Sequence, residues 1–176
     1  MYKIVRPSLP FKPLDPQTRA KLRAWARDEI TWAEVEGLTF ERARSIARIG
    51  CDLAAAGRLE EARIIFNGLL AMNPKDSGAA AALGTVLHKL GRPDEARRAY
   101  DDALAADPKN PVALGNRGEL RLALGDGKGL DDLIAAVRAD PELKTAAARR
   151  ARAVLKAALA RRQLRTARES RGETAP

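Results

Sequence analysis

Residues 57–74 read GRLEEARIIFNGLLAMNP and residues 91–108 read GRPDEARRAYDDALAADP, so that a glycine, an alanine, an aromatic residue and a proline recur 34 positions apart. A third copy begins in step at Gly118 and Gly125, and from Gly129 onward it runs one residue short, at an offset of 33. A period of 34 residues is typical of helix-turn-helix solenoids. Three copies are the smallest number that usually folds alone, so the sequence predicts an all-α chain of three stacked helix pairs.

Each class of repeated residue has a structural reason. Glycine in the middle of a helix costs about 1 kcal/mol relative to alanine, which close approach of a second helix explains. The glycines in this class are Gly50, Gly84 and Gly118, and the small residues expected opposite them are Ala62, Ala96 and Gly129. The large side chains expected to fill the space between pairs are Phe66, Tyr100 and Leu133.

Other residues predict where the helices begin and end. Because a left-handed residue is favourable only without a β-carbon, the first helix of each pair is expected to end at Gly57, Gly91 and Gly125. Prolines interrupt the helices at Pro74, Pro108 and Pro141. The predicted helices lie near 42–56, 59–72, 76–90, 93–106, 110–124 and 128–139. Nearer the amino terminus, Asp15-Pro16 has the form of a helix start, and Thr31 with Glu34 has capping-box spacing.

We divide the chain into five segments. They are a proline-rich extended arm at 1–16, an N-terminal helical segment at 17–41, the three-repeat domain at 42–141, a basic closing helix at 142–166 and a disordered tail at 167–176. Prolines recur every third residue in the arm, which suits a polyproline II conformation, although a flexible linker is favoured. Trp25 and Trp32 are expected to be packing residues of a segment that mediates dimerisation or caps the first repeat.

Composition excludes several classes of protein. Hydrophobic residues make up 45% of the 176 residues but aromatic residues only 4%, so alanine carries much of the core. No stretch approaches the roughly 20 apolar residues of a membrane span, and prolines interrupt residues 1–16, so neither a membrane span nor a signal peptide is expected. The single cysteine, Cys51, permits no internal disulfide. These features predict a cytoplasmic protein.

Positive charge is concentrated near the carboxyl end. Residues 144–171 contain ten Lys or Arg residues against Glu169, a balance of +9 that equals the net charge of the whole chain. The favoured interpretation is the solvated face of a helix that seals the last repeat, and the alternative is a surface that captures an acidic partner. Nucleic acid is disfavoured because no aromatic residue interleaves the basic run to stack on bases. The predicted basic partner surface comprises Arg149, Arg150, Arg152, Arg161, Arg162 and Arg165.

No catalytic or metal site is predicted. Cys51 and His88 occupy similar positions one repeat apart, but no orienting Asn or Asp and no oxyanion motif accompanies them. One histidine and one cysteine fall short of a transition-metal site. The glycines of residues 125–129 lack the Walker spacing and a preceding strand, and they coincide with an expected turn between helices. The chain is therefore expected to be non-enzymatic, without a metal or cofactor.

A short stretch before the repeats carries a more specific signal. Residues 31–38 read TWAEVEGL, the repeat core at 56–62 reads AGRLEEA, and PELK at 141–144 opens the closing helix. In this order the chain resembles the tetratricopeptide-repeat translocator chaperones of bacterial type III secretion, the class II or LcrH/SycD type. The resemblance covers about residues 31–160.

The resemblance implies a cytoplasmic chaperone that holds an extended segment of a secretion client in a concave groove, lined by the first helix of each pair. The family frames its client pockets with aromatic residues and is generally acidic. This chain is basic, and the matching positions include Ala47, Ala54, Ala79 and Ala80, so a wider and uncharged groove is expected. The predicted groove residues are Ala47, Cys51, Ala54, Gly78, Ala81, Thr85, His88, Val112, Gly115, Glu119 and Leu122.

Two functions remain open at this level. The first is a non-enzymatic export chaperone that binds a protein client and forms a possible homodimer through its N-terminal helices. The second is a general tetratricopeptide adaptor that docks an acidic protein through the basic closing helix. In either case Pro7 to Pro13 could lie in the groove of the same or a neighbouring chain, with Phe11 filling space that the alanines leave.

Overall fold

The computed structural model describes residues 15–169, without the side chains of 161–162 and 164–169. The proline-rich arm up to Leu14 and the last residues from 170 onward lie outside the described part, so the expectations for them stay predictions. The described residues form helices and turns without a strand, which confirms the all-α prediction. In chain order the helices are α1 (Pro16–Ala26), α2 (Trp32–Val35), α3 (Phe40–Ala55), α4 (Leu59–Met72), α5 (Ser77–Lys89), α6 (Pro93–Ala106), α7 (Pro111–Ala123), α8 (Gly129–Ala139) and α9 (Ala146–Glu169).

The N-terminal segment consists of α1 and α2. The Asp15 carboxylate caps α1 by accepting the backbone N–H of Thr18 at 2.9 Å, and Thr31 with Glu34 forms the predicted capping box of α2. The rings of Trp25 and Trp32 meet edge to face with centroids 5.3 Å apart. Among the described helices α1 packs only against α2, so it is thinly attached to the rest of the chain.

Three helix pairs follow, α3 with α4, α5 with α6 and α7 with α8, each packed against the next pair. Their bounds lie within two residues of the predicted ones. The first helix of each pair ends as expected, because Gly57, Gly91 and Gly125 have φ values of +79°, +72° and +81°. The core runs through the stack, and its largest fully buried side chains are Tyr100, Phe66, Leu133 and Val86.

The mid-helix glycines do allow close approach, but not to the residues that we expected in every repeat. A Cβ at Gly50 would lie 2.8 Å from Cζ of Phe66, so the aromatic ring, rather than Ala62, is the nearest neighbour. In the third repeat a Cβ at Gly118 would lie 2.8 Å from Cδ2 of Leu133 and 2.9 Å from the carbonyl oxygen of Gly129, so the expected small residue is close as well. A large ring needs more space than an alanine methyl group, and the missing glycine side chain provides it.

A partly buried ion network, which was not predicted from the sequence, stabilises the third repeat. Asp132 of α8 is 6% exposed and accepts from Arg117 Nε at 2.9 Å and Nη2 at 2.7 Å. Arg121 Nη1 donates to the same carboxylate at 2.8 Å. Arg117 Nη1 also donates to Asp101 of α6 at 2.7 Å. The network therefore ties α6, α7 and α8 together.

The closing helix differs from its predicted bounds at both ends. It begins at Ala146 rather than 142, because the Asp140 carboxylate accepts the backbone N–H groups of Lys144 at 3.0 Å and Thr145 at 2.7 Å in a preceding turn. Leu143 in that turn has a φ of 57°, which no helix residue adopts. The helix continues to Glu169, so residues 167–169, expected in a disordered tail, are helical.

The amino-terminal part of α9 packs against the repeats. Ala147, Ala148 and Ala151 are buried against α7 and α8, and Val154 and Leu155 lie at the edge of the same cluster. Beyond them, the residues from Lys156 to Ala160 are exposed, including Leu159 with 59% of its surface accessible. The closing helix therefore seals the third repeat as expected, through an apolar stripe that ends at Leu155.

Candidate protein-binding groove

The first helices of the three pairs lie side by side and form one continuous face. Helix α3 contacts α5, α5 contacts α7, and α7 contacts α9, which occupies the place that the first helix of a fourth pair would take. We call this face the groove. It contains the positions at which the repeat register placed the predicted binding residues.

The predicted groove residues differ in how much surface they present. Three of them are exposed, namely Cys51, Gly78 and His88. Six are half-buried, namely Ala47, Ala54, Thr85, Val112, Glu119 and Leu122. These nine residues have surface with which to contact a partner.

The two remaining residues require a correction. Ala81 is only 2% exposed and belongs to the core of the second repeat. Gly115 is covered by the closing helix, because a Cβ at this position would lie 2.9 Å from that of Ala147. The alanines matched to the family's client pockets are also buried in part, since Ala79 and Ala80 are each 3% exposed.

A chain of hydrogen bonds crosses the groove from α5 to α9. Asn116 Nδ2 donates to Thr85 Oγ1 at 2.9 Å, and Asn116 Oδ1 accepts from Arg150 Nη2 at 2.6 Å. Arg150 Nε donates to the carboxylate of Glu119 at 2.9 Å, forming an ion pair. The expectation of an uncharged groove is therefore wrong at its carboxyl-terminal end, where the closing helix supplies a charge that the repeats alone do not predict.

Asn116 was not among the predicted groove residues, although a spacing signal was present. Thr85 and Asn116 are 31 residues apart, and so are Glu119 and Arg150. This spacing joins one first helix to the next across the groove. Asn116 is 5% exposed, so its amide acts as a buried bridge between neighbouring helices.

The phenol of Tyr100 lies beneath this chain of hydrogen bonds. The residue is completely buried, and its hydroxyl, beside Thr85 and Asn116, forms no hydrogen bond of normal geometry with a described residue. Burial raises the pKa of the Tyr100 phenol to about 12, because the charged phenolate would lose its solvation.

The groove contains a cavity of about 540 Å³ between α7 and α9. Its walls combine the Glu119–Arg150 ion pair with aliphatic side chains, and the lining residues are Glu119, Leu122, Ala123, Arg150, Ala153 and Val154. A cavity with such a mixed lining can accommodate a bound segment in which an apolar side chain lies next to a polar one.

Two further clefts lie outside the groove, at equivalent places in successive repeats. One of about 680 Å³ includes Pro74, Lys75 and Ala80, and the other of about 740 Å³ includes Pro108, Lys109 and Leu114, which are 34 residues further on. Their recurrence follows from the repeat itself, because each cleft lies between the loop that enters a helix pair and the two helices of that pair.

The groove lacks the features of a catalytic site in the described residues. No hydrogen bond joins Cys51 to His88 there. Partial burial, and then the nearby Asp52 carboxylate, raise the pKa of the Cys51 thiol, which disfavours the reactive thiolate. Within residues 15–169 no group of three or more His, Cys, Asp or Glu side chains could hold a metal ion, and no helix there is long and apolar enough to cross a membrane.

The residues of the predicted basic surface fall into different environments. Arg149 Nη1 donates to the carbonyl oxygens of Leu143 and Lys144, both at 2.8 Å, and so closes the turn before α9. Arg150 belongs to the groove, and Arg152 is exposed. The side chains of Arg161, Arg162 and Arg165 lie outside the described part, although α9 includes their backbone.

Comparisons with known proteins agree with this architecture. The tetratricopeptide repeat family matches residues 53–113. The chain is similar to the type III secretion translocator chaperone SycD of Yersinia enterocolitica, with 22% identity, a TM-score of 0.64 and coverage of 73% of this chain and 98% of SycD. It is also similar to PcrH of Pseudomonas aeruginosa in complex with the chaperone binding region of PopD, with 26% identity, a TM-score of 0.61 and coverage of 72% and 97%.

A third solved structure is a type III secretion complex from Aeromonas hydrophila, with 23% identity, a TM-score of 0.67 and coverage of 82% of this chain and 98% of that one. The comparison with curated proteins gave no match. The resemblance inferred from residues 31–38 and the repeat core is therefore confirmed at the level of the fold. The chain carries tetratricopeptide repeats and shares the fold of the type III secretion translocator chaperones.

Proposed function

We propose that this chain is a non-enzymatic chaperone that holds a segment of a protein client in the groove formed by α3, α5 and α7. The observation that carries the proposal is the shared fold with PcrH and SycD, which have been solved with the chaperone binding region of PopD and with a peptide of the translocator YopD. Surface for such a segment is present along the groove, from Cys51 through His88 to Leu122.

The client is expected to be an apolar secreted protein that precipitates alone. The chaperone stabilises it by covering its apolar segment, since the floor of the groove near Ala47 and Ala54 is half-buried and apolar. The single exposed cysteine of the described chain is unpaired, and we place this activity in the cytoplasm, where thiols stay reduced.

A bulky residue in the groove provides the test. Cys51→Trp places an indole on an exposed groove position, and Ala71→Trp places one on an exposed position of α4 outside the groove. Each variant is co-expressed with apolar secreted proteins of the same organism, and the soluble fraction of each protein is measured. We expect the wild type and Ala71→Trp to keep at least one of them soluble and Cys51→Trp to lose this effect. Equal solubility with Cys51→Trp, or no effect of the wild type, would contradict the proposal.

We also propose that the chaperone forms a homodimer through its N-terminal segment. Trp25 keeps 47% of its surface exposed, and Phe40 at the start of α3 keeps 75%. Large apolar side chains with this exposure are favourable in an interface, and α1 packs only against α2 among the described helices.

A further inference from the structure

Four positions of each helix pair mark the side on which it meets the pair before it. In the second pair these positions hold Ala80, Leu83, Leu87 and Ala99. All four are buried in the core that α5 shares with α4 of the preceding pair. In the third pair the same positions hold Leu114, Arg117, Arg121 and Asp132. There Arg117 forms an ion pair with Asp101 of the preceding pair, at 2.7 Å.

The first pair presents this side without a helix pair in front of it among the described residues. The four positions, which we call the amino-terminal edge, hold Ile46, Ile49, Leu53 and Ile65. Ile49 keeps 53% of its surface exposed, and the other three are half-buried. Large aliphatic side chains of this kind are unfavourable in contact with water, and the terminal repeat of a solenoid usually needs a cap. The amino-terminal edge is therefore a docking surface.

The amino-terminal part of the chain already reaches this side of the first pair. Helix α2 contacts α4, and a cavity of about 260 Å³ around this contact includes Phe40 and Met72. These two residues are in register with Pro74 and Ala106, which line the cleft of the second pair. The segment that precedes α1 and α2, residues 1–14, is therefore attached close to the amino-terminal edge.

Residues 1–14 have an amphipathic pattern with a period of three residues. In a polyproline II conformation, which has three residues per turn, positions three apart lie on the same side. The first side holds Tyr2, Val5, Ser8, Phe11 and Leu14. The second side holds Ile4, Pro7, Pro10 and Pro13. The third side holds Lys3, Arg6, Leu9 and Lys12. Two sides are thus apolar apart from one serine, and the third carries every charged side chain of the segment, which indicates a strand that lies on an apolar surface with its basic side in water.

We propose that residues 2–14 lie in an extended conformation along the amino-terminal edge of their own chain and cap the first helix pair. The length is sufficient, because Ile4 to Leu14 spans about 31 Å at 3.1 Å per residue, whereas the 16 residues of α3 span about 24 Å. The surface lies outside the groove, so the inference does not depend on the proposed chaperone function. It leaves the groove free for a client.

A slim occupant suits this edge better than another helix pair. Ile46 and Ile65 stand where the second pair has Ala80 and Ala99, whose small side chains allow the preceding helices to approach closely. Branched side chains at these positions would overpack a helix pair stacked in the same register. A second copy of the chain could therefore not extend the solenoid at this end as α4 extends it toward α5.

Two thiol positions on α3 provide the test. Cys51 is exposed on the groove, and Ile49→Cys in a Cys51→Ser background places a thiol on the amino-terminal edge. The rate of reaction with a thiol reagent is measured for each thiol in the full chain and in two arm variants. Val5→Ser with Phe11→Ser removes apolar side chains from the first side of the arm, and Leu9→Ser with Lys12→Ser, the matched control, alters the basic side.

We expect Val5→Ser with Phe11→Ser to accelerate labelling at position 49 by at least about fivefold, because the rate follows the fraction of chains in which the arm has left the edge. Labelling of Cys51 should not change, and the control variant should have little effect at either position. Faster labelling of Cys51 instead would place the arm in the groove and overturn the inference. No acceleration at position 49, or equal acceleration by both arm variants, would also overturn it. So would labelling at position 49 that slows with protein concentration and ignores the arm variants, because a second copy would then cover the edge.

Discussion

A Cβ at Gly84 would lie 2.5 Å from Cε1 of Tyr100 and 2.6 Å from Cδ1, so the phenol ring of α6 occupies the space that a larger residue in α5 would need. Gly50 and Phe66 have the same relationship one repeat earlier. In each of these two helix pairs, an aromatic ring of the second helix therefore packs directly on the glycine backbone of the first helix. This contact allows a stack with few aromatic residues to bury large side chains completely.

Gly84→Ala should destabilise the chain. Alanine is the better helix former by about 1 kcal/mol, but its methyl group would displace a fully buried ring, and overpacking of this kind costs about 1–3 kcal/mol. We expect a net loss of up to about 2 kcal/mol in the free energy of unfolding, measured by urea denaturation. Gly68→Ala on α4 is the matched control, because a Cβ there would meet nothing within 4 Å. Gly68→Ala should be neutral or stabilising, and similar losses in both variants would argue against the packing explanation.

Stability should fall at alkaline pH because of Tyr100. Its folded pKa of about 12 lies above the ordinary value of 10, so the unfolded chain releases the phenol proton first. The contribution of the buried neutral phenol is complete below pH 10 and is lost as the pH rises toward about 12. The measurement is the difference in unfolding free energy between the wild type and Tyr100→Phe at several pH values. A difference that stays constant from neutral pH to pH 12 would contradict this assignment.

The same variant tests the unpartnered hydroxyl at neutral pH. Because the Tyr100 hydroxyl is buried without a hydrogen bond of normal geometry, removing it should cost little or even stabilise the chain. We expect Tyr100→Phe to change the unfolding free energy by less than about 1 kcal/mol at neutral pH, measured by urea denaturation. A loss well above this value would indicate that the hydroxyl does bond with Thr85 or Asn116.

Asp132→Asn should be strongly destabilising. Asp132 is 6% exposed and neutralises Arg117, which would be left among partly buried groups without a full counter-charge. Removing one partner of a buried ion pair costs about 3–5 kcal/mol, and the partial exposure of Arg117 places the expected loss near the lower end. Asp94→Asn is the control, because its contact with Arg97 spans 3.9 Å and is largely exposed. The control should lose less than about 0.5 kcal/mol in the same denaturation experiment.

Trp25→Ser should weaken the proposed dimer. The substitution removes an indole that is 47% exposed and leaves the buried core of the repeats unchanged. Sedimentation equilibrium should show a larger fraction of monomer than in the wild type at the same concentration. Ile64→Ser provides the comparison, since Ile64 is 62% exposed on α4, outside the N-terminal segment. Dimers that survive Trp25→Ser and dissociate with Ile64→Ser would place the interface elsewhere.

The helices of the repeats could be predicted from the sequence because their signals are local. Gly57 and Gly91 end a helix through the conformation of a single residue, and the period of 34 residues repeats that signal. The first residue of the closing helix was predicted less accurately. The turn before this helix depends on the Asp140 carboxylate and on the left-handed conformation of Leu143. Leucine rarely adopts this conformation, so the sequence does not predict the turn.

The composition of the groove could be predicted only in part. The register gave the face on which Cys51, Thr85 and Leu122 lie, because helix periodicity fixes the direction of each position. It did not reveal that α9 would cover Gly115 and bring Arg150 onto Glu119. That contact depends on the position of the closing helix along the axis of α7. This position is set by packing between segments that are distant in the sequence.

By itself, the sequence determined the all-α solenoid, its three repeats and the placement of positive charge near the carboxyl end, since periodicity and composition act residue by residue. Only the tertiary structure decided which small residues contact aromatic rings and that Asp132 forms ion pairs with two arginines. It also decided where the groove carries charge. The physical reason is that these contacts join side chains on different helices. Their distances follow from the packing of whole helices, which no local pattern contains.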